Sequence, residues 1–135
     1  MEKITVESVI NAPVEKVWRD YTDPEAVKAW NAASDDWHTT QAANDLREGG
    51  SFLYRMEAKD GSAGFDFGGV YDAVVPKERI AYTMDDGRKV ETLFASESDG
   101  TRITVSFDPE TENTPELQRA GWQAILDNFK KYVEA

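Results

Sequence analysis

Three Asp-Gly dipeptides, Asp60-Gly61, Asp86-Gly87 and Asp99-Gly100, punctuate the middle of this chain, each between stretches of alternating polarity. Tight hairpin turns demand positive φ angles that Asp-Gly supplies readily, so this pairing is the strongest short-range hairpin signal a sequence can carry. Hairpins in succession oblige the flanking segments to pair as an antiparallel sheet. The alternation assigns the faces: Phe52, Tyr54 and Met56 share one side, as do Phe65, Phe67, Gly69 and Tyr71. Ile80, Tyr82 and Met84 form a third set, and Ile103, Val105 and Phe107 a fourth. Between residues 88 and 97, Val90, Thr92 and Phe94 oppose Leu93 and Ala95. Residues 37–46, rich in Thr and Ala, predict a weaker strand, and Ile4, Val6 and Ile10 mark another near the start. Pro76 has no N–H to give a ladder and breaks the chain between two strands.

A sheet with one apolar face needs a cover. The adequate one is a helix at the end of the chain. Thr114 can cap it, Pro115 fits its first turn, and Glu116 complements the positive end of its dipole. Leu117, Gly121, Trp122, Ile125, Leu126, Phe129 and Val133 then trace an apolar stripe over about five turns. Near the start, Pro13 suits the first position of a helix bearing Val14, Val17, Trp18 and Tyr21. Asp23 and Pro24 open a second short helix with Ala26, Val27 and Trp30 on its apolar side. The expected fold is α+β: a curved antiparallel sheet of about seven strands around a long C-terminal helix, with two short helices after the first strand. Space between sheet and helix is where a function would reside.

The chain has 135 residues, one domain's worth, and residues 1–135 are read as a single domain. Its 26 acids against 15 bases give a formal charge of −11, which argues against nucleic acid and anionic membrane surfaces as partners. The excess is heaviest after residue 90. No window is apolar enough for a membrane span, and the start lacks the charge pattern of a signal peptide, so a cytoplasmic monomer without membrane insertion is the expectation.

The absence of Cys removes disulfides, thiolate metal sites and cysteine nucleophiles together. With His38 the only histidine, a zinc site lacks ligands and a Ser-His-Asp triad lacks its nucleophile elbow. No metal or cofactor is expected. The Asp108, Glu110, Glu112 cluster lacks the central glycine and later glutamate of a calcium loop and reads as a solvated loop. Gly64 to Gly69 is followed by neither lysine nor a helix start, so it reads as a bend or bulge rather than a phosphate cradle. Asp66, Arg55, Glu91 and Arg88 are possible acid–base groups, yet no spacing pairs two of them.

The segment Asn11-Ala-Pro-Val-Glu-Lys-Val-Trp18, with Asp23-Pro24 and Ala29-Trp30, resembles the opening of the START-like (SRPBCC, birch-pollen-allergen-like) superfamily. Gly69 to Thr83 and Gln118 to Phe129 are similar to the branch named after the activator of the heat-shock-protein-90 ATPase. That resemblance implies the helix-grip fold and a cavity between the sheet and the last helix, which in various members of the superfamily holds lipids, hormones or polyketides. Cavity candidates are Trp30, Trp37, Tyr54, Phe67, Tyr71, Tyr82, Phe94, Gly121, Trp122 and Ile125. Tyr and Trp bring polar handles to apolar walls, and a helical glycine beside Trp122 suggests close packing or room for something. The leading expectation is a binder of a small hydrophobic or aromatic molecule, without enzymatic activity. A chaperone-associated role in the stress response is the alternative, although the co-chaperones join this domain to a separate N-terminal one for which this length leaves no room. A polyketide-cyclase-like enzyme is the third.

Overall fold

The first strand turns its apolar residues inward. In the computed structural model, which describes residues 2–135, β1 (Ile4–Ile10) buries Ile4, Val6 and Ile10. The helices α1 (Val14–Thr22) and α2 (Pro24–Trp30) follow. Asp23 ends the first helix and caps the second, its carboxylate accepting from the Glu25 amide. Pro13 stands one position earlier than expected: its extended backbone makes it the N-cap residue of α1.

Six strands come next: β2 (Trp37–Asn44), β3 (Ser51–Ala58), β4 (Gly64–Val75), β5 (Arg79–Met84), β6 (Lys89–Glu97) and β7 (Gly100–Phe107). Helix α3 (Pro115–Glu134) closes the chain, capped by the Thr114 hydroxyl, which accepts from the Leu117 amide at 3.1 Å. The sheet order is β1-β7-β6-β5-β4-β3-β2, antiparallel throughout. The first and second strands therefore lie at opposite edges, and α1 and α2 span the distance between them. The architecture is the expected seven-stranded α+β helix grip.

The Asp-Gly turns form by a different route from the expected one. At Asp86-Gly87 only the glycine has positive φ, +93°. The Gly87 amide donates to the Met84 carbonyl at 2.9 Å and the Met84 amide to the Arg88 carbonyl at 2.8 Å. That is a type I turn closed by a left-handed glycine, whose twist also suits a right-twisted hairpin. The glycine run in β4 is also not a bulge. Its pairing with β3 is unbroken from Ser51↔Val70 to Glu57↔Gly64. The register slips elsewhere, just past the run between Tyr71 and Ala73 against β5, and at the edge of the sheet between Thr39 and Gln41 of β2 against β3. Gly69 serves close approach: a Cβ there would strike the Thr83 backbone carbonyl.

Sheet and helix meet over a core of Ile10, Val17, Val27, Ile103, Phe107, Phe129 and Val133, all closed to solvent or nearly so. The end of α3 is fastened to the start of the chain. Lys130 Nζ donates to the Val9 carbonyl at 2.6 Å, Lys16 Nζ donates to the Val133 carbonyl, and Glu134 accepts from the Asn11 amide at 2.8 Å. This last bond, with Lys130, holds the Glu134 carboxyl below its ordinary range. The other end of α3 departs from the expected stripe. Leu117 is 60% exposed, while its polar neighbour Gln118 is buried.

Candidate functional site

The inward faces of β3, β4 and β5 stand away from the N-terminal half of α3 and enclose a cavity of about 520 Å³, within the range of small-molecule sites. The alternation of the strands places its walls. Phe52, Tyr54 and Met56 come from β3, Phe65, Phe67 and Tyr71 from β4, and Ile80, Tyr82 and Met84 from β5. Gly121, Trp122, Ile125 and Leu126 of α3 form the opposite wall, with Tyr21 and Trp30 of α1 and α2 at the inner end.

Gly121 leaves this wall open, since a Cβ built there meets nothing within 4 Å. Of the two sequence readings of this residue, close packing or room, the structure shows room. Trp122 beside it stacks on Phe107, with ring centroids 4.1 Å apart, and presents an edge-to-face contact to Phe67 at 6.2 Å. Phe52 is the hub of the opposite wall, with Tyr82 at 4.8 Å, Tyr71 at 5.2 Å and Tyr54 at 5.3 Å. At the inner end Trp30 donates its indole N–H to the Asp20 carbonyl at 2.9 Å and packs against Phe129.

Four phenols share this space. Burial pushes the Tyr21 hydroxyl up to about 12, its 3.2 Å hydrogen bond to Thr92 only partly offsetting the effect. Burial likewise raises Tyr54, against hydrogen bonds from Asn44 and Tyr71, and raises Tyr71, with the neighbouring Tyr54 adding to it. Tyr82 is pushed well above its ordinary range, by burial first and then by the other three phenols, with the Arg88 guanidinium opposing the shift. Among the described residues no fully enclosed side-chain polar atom lacks a partner. Tyr82 is among the residues that line the cavity. Phenols shifted this way stay protonated at neutral pH. They can donate hydrogen bonds to a guest but are poor general bases.

Eight of the ten candidate residues lie on the cavity: Trp30, Tyr54, Phe67, Tyr71, Tyr82, Gly121, Trp122 and Ile125. Two do not. Phe94 faces inward on β6 but is covered by α1, with Trp18 at 5.2 Å and Tyr21 at 5.4 Å, so it is core. Trp37 begins the edge strand β2 and packs on Phe65 outside the enclosed volume. Strand alternation identifies a face but not which part of that face a helix covers.

The acid–base candidates separate in the same way. Arg55 bonds Glu57 at 3.1 Å and Asp66 at 3.3 Å, and Arg79 bonds Glu91 at 2.6 Å, all three pairs well solvated. His38 stands opposite Glu57 on the β2–β3 ladder, away from the cavity. Asp66, Asp85, Asp86, Arg88 and Glu110 border the cavity, but Asp66 turns to Arg55, Asp85 lies against Gly68 beside Leu53 on the outer face of the sheet, and Asp86 pairs with Arg88 at 2.8 Å.

Sequence reasoning missed the residue that builds that border. Gln118 Oε1 accepts from the Glu110 amide at 2.8 Å, and its Nε2 donates to the carbonyls of Glu110 at 3.1 Å and Asn113 at 2.8 Å. The acidic loop is thus folded onto α3 rather than freely solvated. Its other end is held by Asp108, which accepts from Lys3 Nζ and the Lys89 amide, each at 2.8 Å; these bonds lower its carboxyl from the ordinary value. The signal was present: Gln118 is a lone amide on the stripe that continues through Trp122 and Ile125.

Among curated proteins, none matches the chain. Solved structures do. The AHSA1-like protein from Aeromonas hydrophila is 53% identical over 98% of this chain and 92% of its own, with a TM-score of 0.93. Chr148 from Cytophaga hutchinsonii is 52% identical over the same shares, with a TM-score of 0.86. Protein CV1439 from Chromobacterium violaceum is 28% identical over 100% of this chain and 99% of its own, with a TM-score of 0.85. The family model described as Activator of Hsp90 ATPase homolog 1-like protein matches residues 11–134, which hold both helices of the N-terminal elbow, six of the seven strands and the whole of α3. The chain belongs to that family.

Proposed function

We propose that this protein binds a small apolar or aromatic molecule between its sheet and α3, as a carrier or sensor rather than an enzyme. The observation that carries this reading is the cavity of about 520 Å³, walled by aromatic side chains and left open at Gly121. A helical glycine costs about 1 kcal/mol relative to alanine, so a residue with no packing reason to be glycine points to retained space. The protonated tyrosines would fix a guest's orientation by hydrogen bonding, since apolar walls supply affinity and a few polar groups supply specificity. Native mass spectrometry and ligand-detected NMR against a library of lipids and aromatic compounds test this. Retained guests, with shifts at Tyr82 and Trp122, are expected. An interior that admits nothing from such a library overturns it.

The family description favours a second reading, association with a chaperone of the heat-shock-protein-90 class. The outer face of the sheet exposes Leu53, Val70 and Leu93, which would be available to such a partner. Co-precipitation and a changed ATPase rate are its expected signatures; an inert mixture with unchanged turnover counts against it.

A further inference from the structure

We propose that Tyr54 and Tyr71 form a polar subsite in the cavity wall, which takes a neutral oxygen acceptor such as a ketone on an apolar or aromatic guest and disfavours a carboxylate of the same shape. This deepens the ligand-binding reading and rests on it. The two rings flank Phe52 on the inner face of the sheet, at 5.3 and 5.2 Å, and both line the cavity. Behind them stands Asn44, opposite Phe52 on the β2–β3 ladder. Its Nδ2 donates to the Thr22 carbonyl at 2.7 Å, which fixes the amide and leaves its Oδ1 as an acceptor. Asn44 and Tyr71 are the side chains that the Tyr54 hydroxyl meets. Packing alone asks for no hydroxyl at these positions, since Phe52 and Phe67 serve on the same two strands. A hydroxyl in a buried wall is costly unless it meets a partner, and two of them beside open space are placed to meet a guest.

A second observation concerns charge. Of the residues that line the cavity, only Asp66, Asp85, Asp86, Arg88 and Glu110 are charged, and these stand at its border, with Arg88 held by Asp86. Around Tyr54 and Tyr71 the wall is instead Phe52, Phe67 and Tyr82. The burial that keeps these phenols protonated acts equally on a carboxylate brought beside them, which would lose its hydration with no counter-ion to replace it. A ketone oxygen carries no full charge to desolvate, and its two lone pairs can take phenol protons. Apolar walls would supply the affinity of such a guest, and the phenols its specificity.

The experiment titrates the isotope-labelled protein by NMR with three probes that share a 2-naphthyl body and differ in one small branched group. They are 2-acetylnaphthalene, a neutral ketone, 2-isopropenylnaphthalene, its hydrocarbon counterpart, and 2-naphthoate, its carboxylate. The ketone is expected to bind about tenfold more tightly than the hydrocarbon, and at neutral pH at least about tenfold more tightly than the carboxylate. The double variant Tyr54→Phe, Tyr71→Phe should bring the ketone down to the hydrocarbon's affinity and leave that of the hydrocarbon unchanged, its spectrum reporting the fold. Where the double variant does not fold, the single variants Tyr54→Phe and Tyr71→Phe carry the test, each expected to weaken the ketone alone, by about threefold. Equal binding of ketone and hydrocarbon, or a ketone preference that survives loss of the hydroxyls, overturns the subsite and leaves the cavity reading standing. Carboxylate binding as tight as that of the ketone overturns the proposal too, as does a cavity that admits library guests but none of these three. If no compound of any kind enters, the ligand-binding reading fails and the subsite with it.

Discussion

Lys77 is the one non-glycine residue with positive φ among the described residues, at 65°. It follows Pro76 in the β4–β5 turn, where the Glu78 amide donates to the Val75 carbonyl at 3.0 Å. That is the position at which a type II turn asks for glycine. A left-handed conformation costs an L-residue about 1–2 kcal/mol, and glycine's extra unfolded-state freedom gives back about half of that. Lys77→Gly is therefore expected to stabilise the protein by about 0.5–1 kcal/mol, read as a higher urea midpoint with an unchanged m-value. Gly121→Ala should stabilise by about 1 kcal/mol, because its methyl enters open space and the helix gains propensity. A loss of stability there would mean that the wall at Gly121 is packed. Pro76 was legible as a chain break from its missing N–H. The backbone angle of the following lysine was not, because lysine has no preference for it.

At the scale of the element, α3 shows how one polar side chain organises a mouth. Gln118 makes three hydrogen bonds to the Glu110–Asn113 loop. Gln118→Ala strands those backbone groups and is expected to cost about 1–3 kcal/mol. Hydrogen exchange should accelerate at the Glu110 amide while the central strands stay protected. Equal acceleration across the sheet would instead make Gln118 a general core residue. The helix itself was readable from the Thr114-Pro115 start and the apolar period. Its orientation was less so: Leu117 continues the pattern yet is exposed and stands outside the cavity wall, while Gln118 beside it is buried. Periodicity describes a helix face, whereas burial depends on what stands opposite.

For the molecule as a whole, the cavity phenols couple stability to high pH. Their folded values are raised above the unfolded value near 10, so their contribution is complete below that pH and is lost as pH rises toward the folded values. Tyr21 alone, raised to about 12, corresponds to roughly 2–3 kcal/mol once pH exceeds both values. Melting temperatures are expected to hold up to about pH 10 and fall above it, with phenolate absorbance from these tyrosines appearing together with unfolding. Ionisation near pH 10 in a protein that stays folded would show these phenols to be solvated.

The sequence by itself determined the elements, their order, the shared faces of most strands and the exclusion of cysteine chemistry, because turn residues, caps and alternation act over a few neighbours. It also carried the resemblance to the family. The tertiary structure decided where the sheet and α3 part. It put Phe94 under α1 and Trp37 beyond the wall, and folded the Glu110–Asn113 loop onto Gln118 at the edge of the cavity. A cavity is a failure of distant surfaces to close on each other, set by sheet curvature and by helix placement between β1 and the loop at Glu110. No local pattern encodes a distance of that kind.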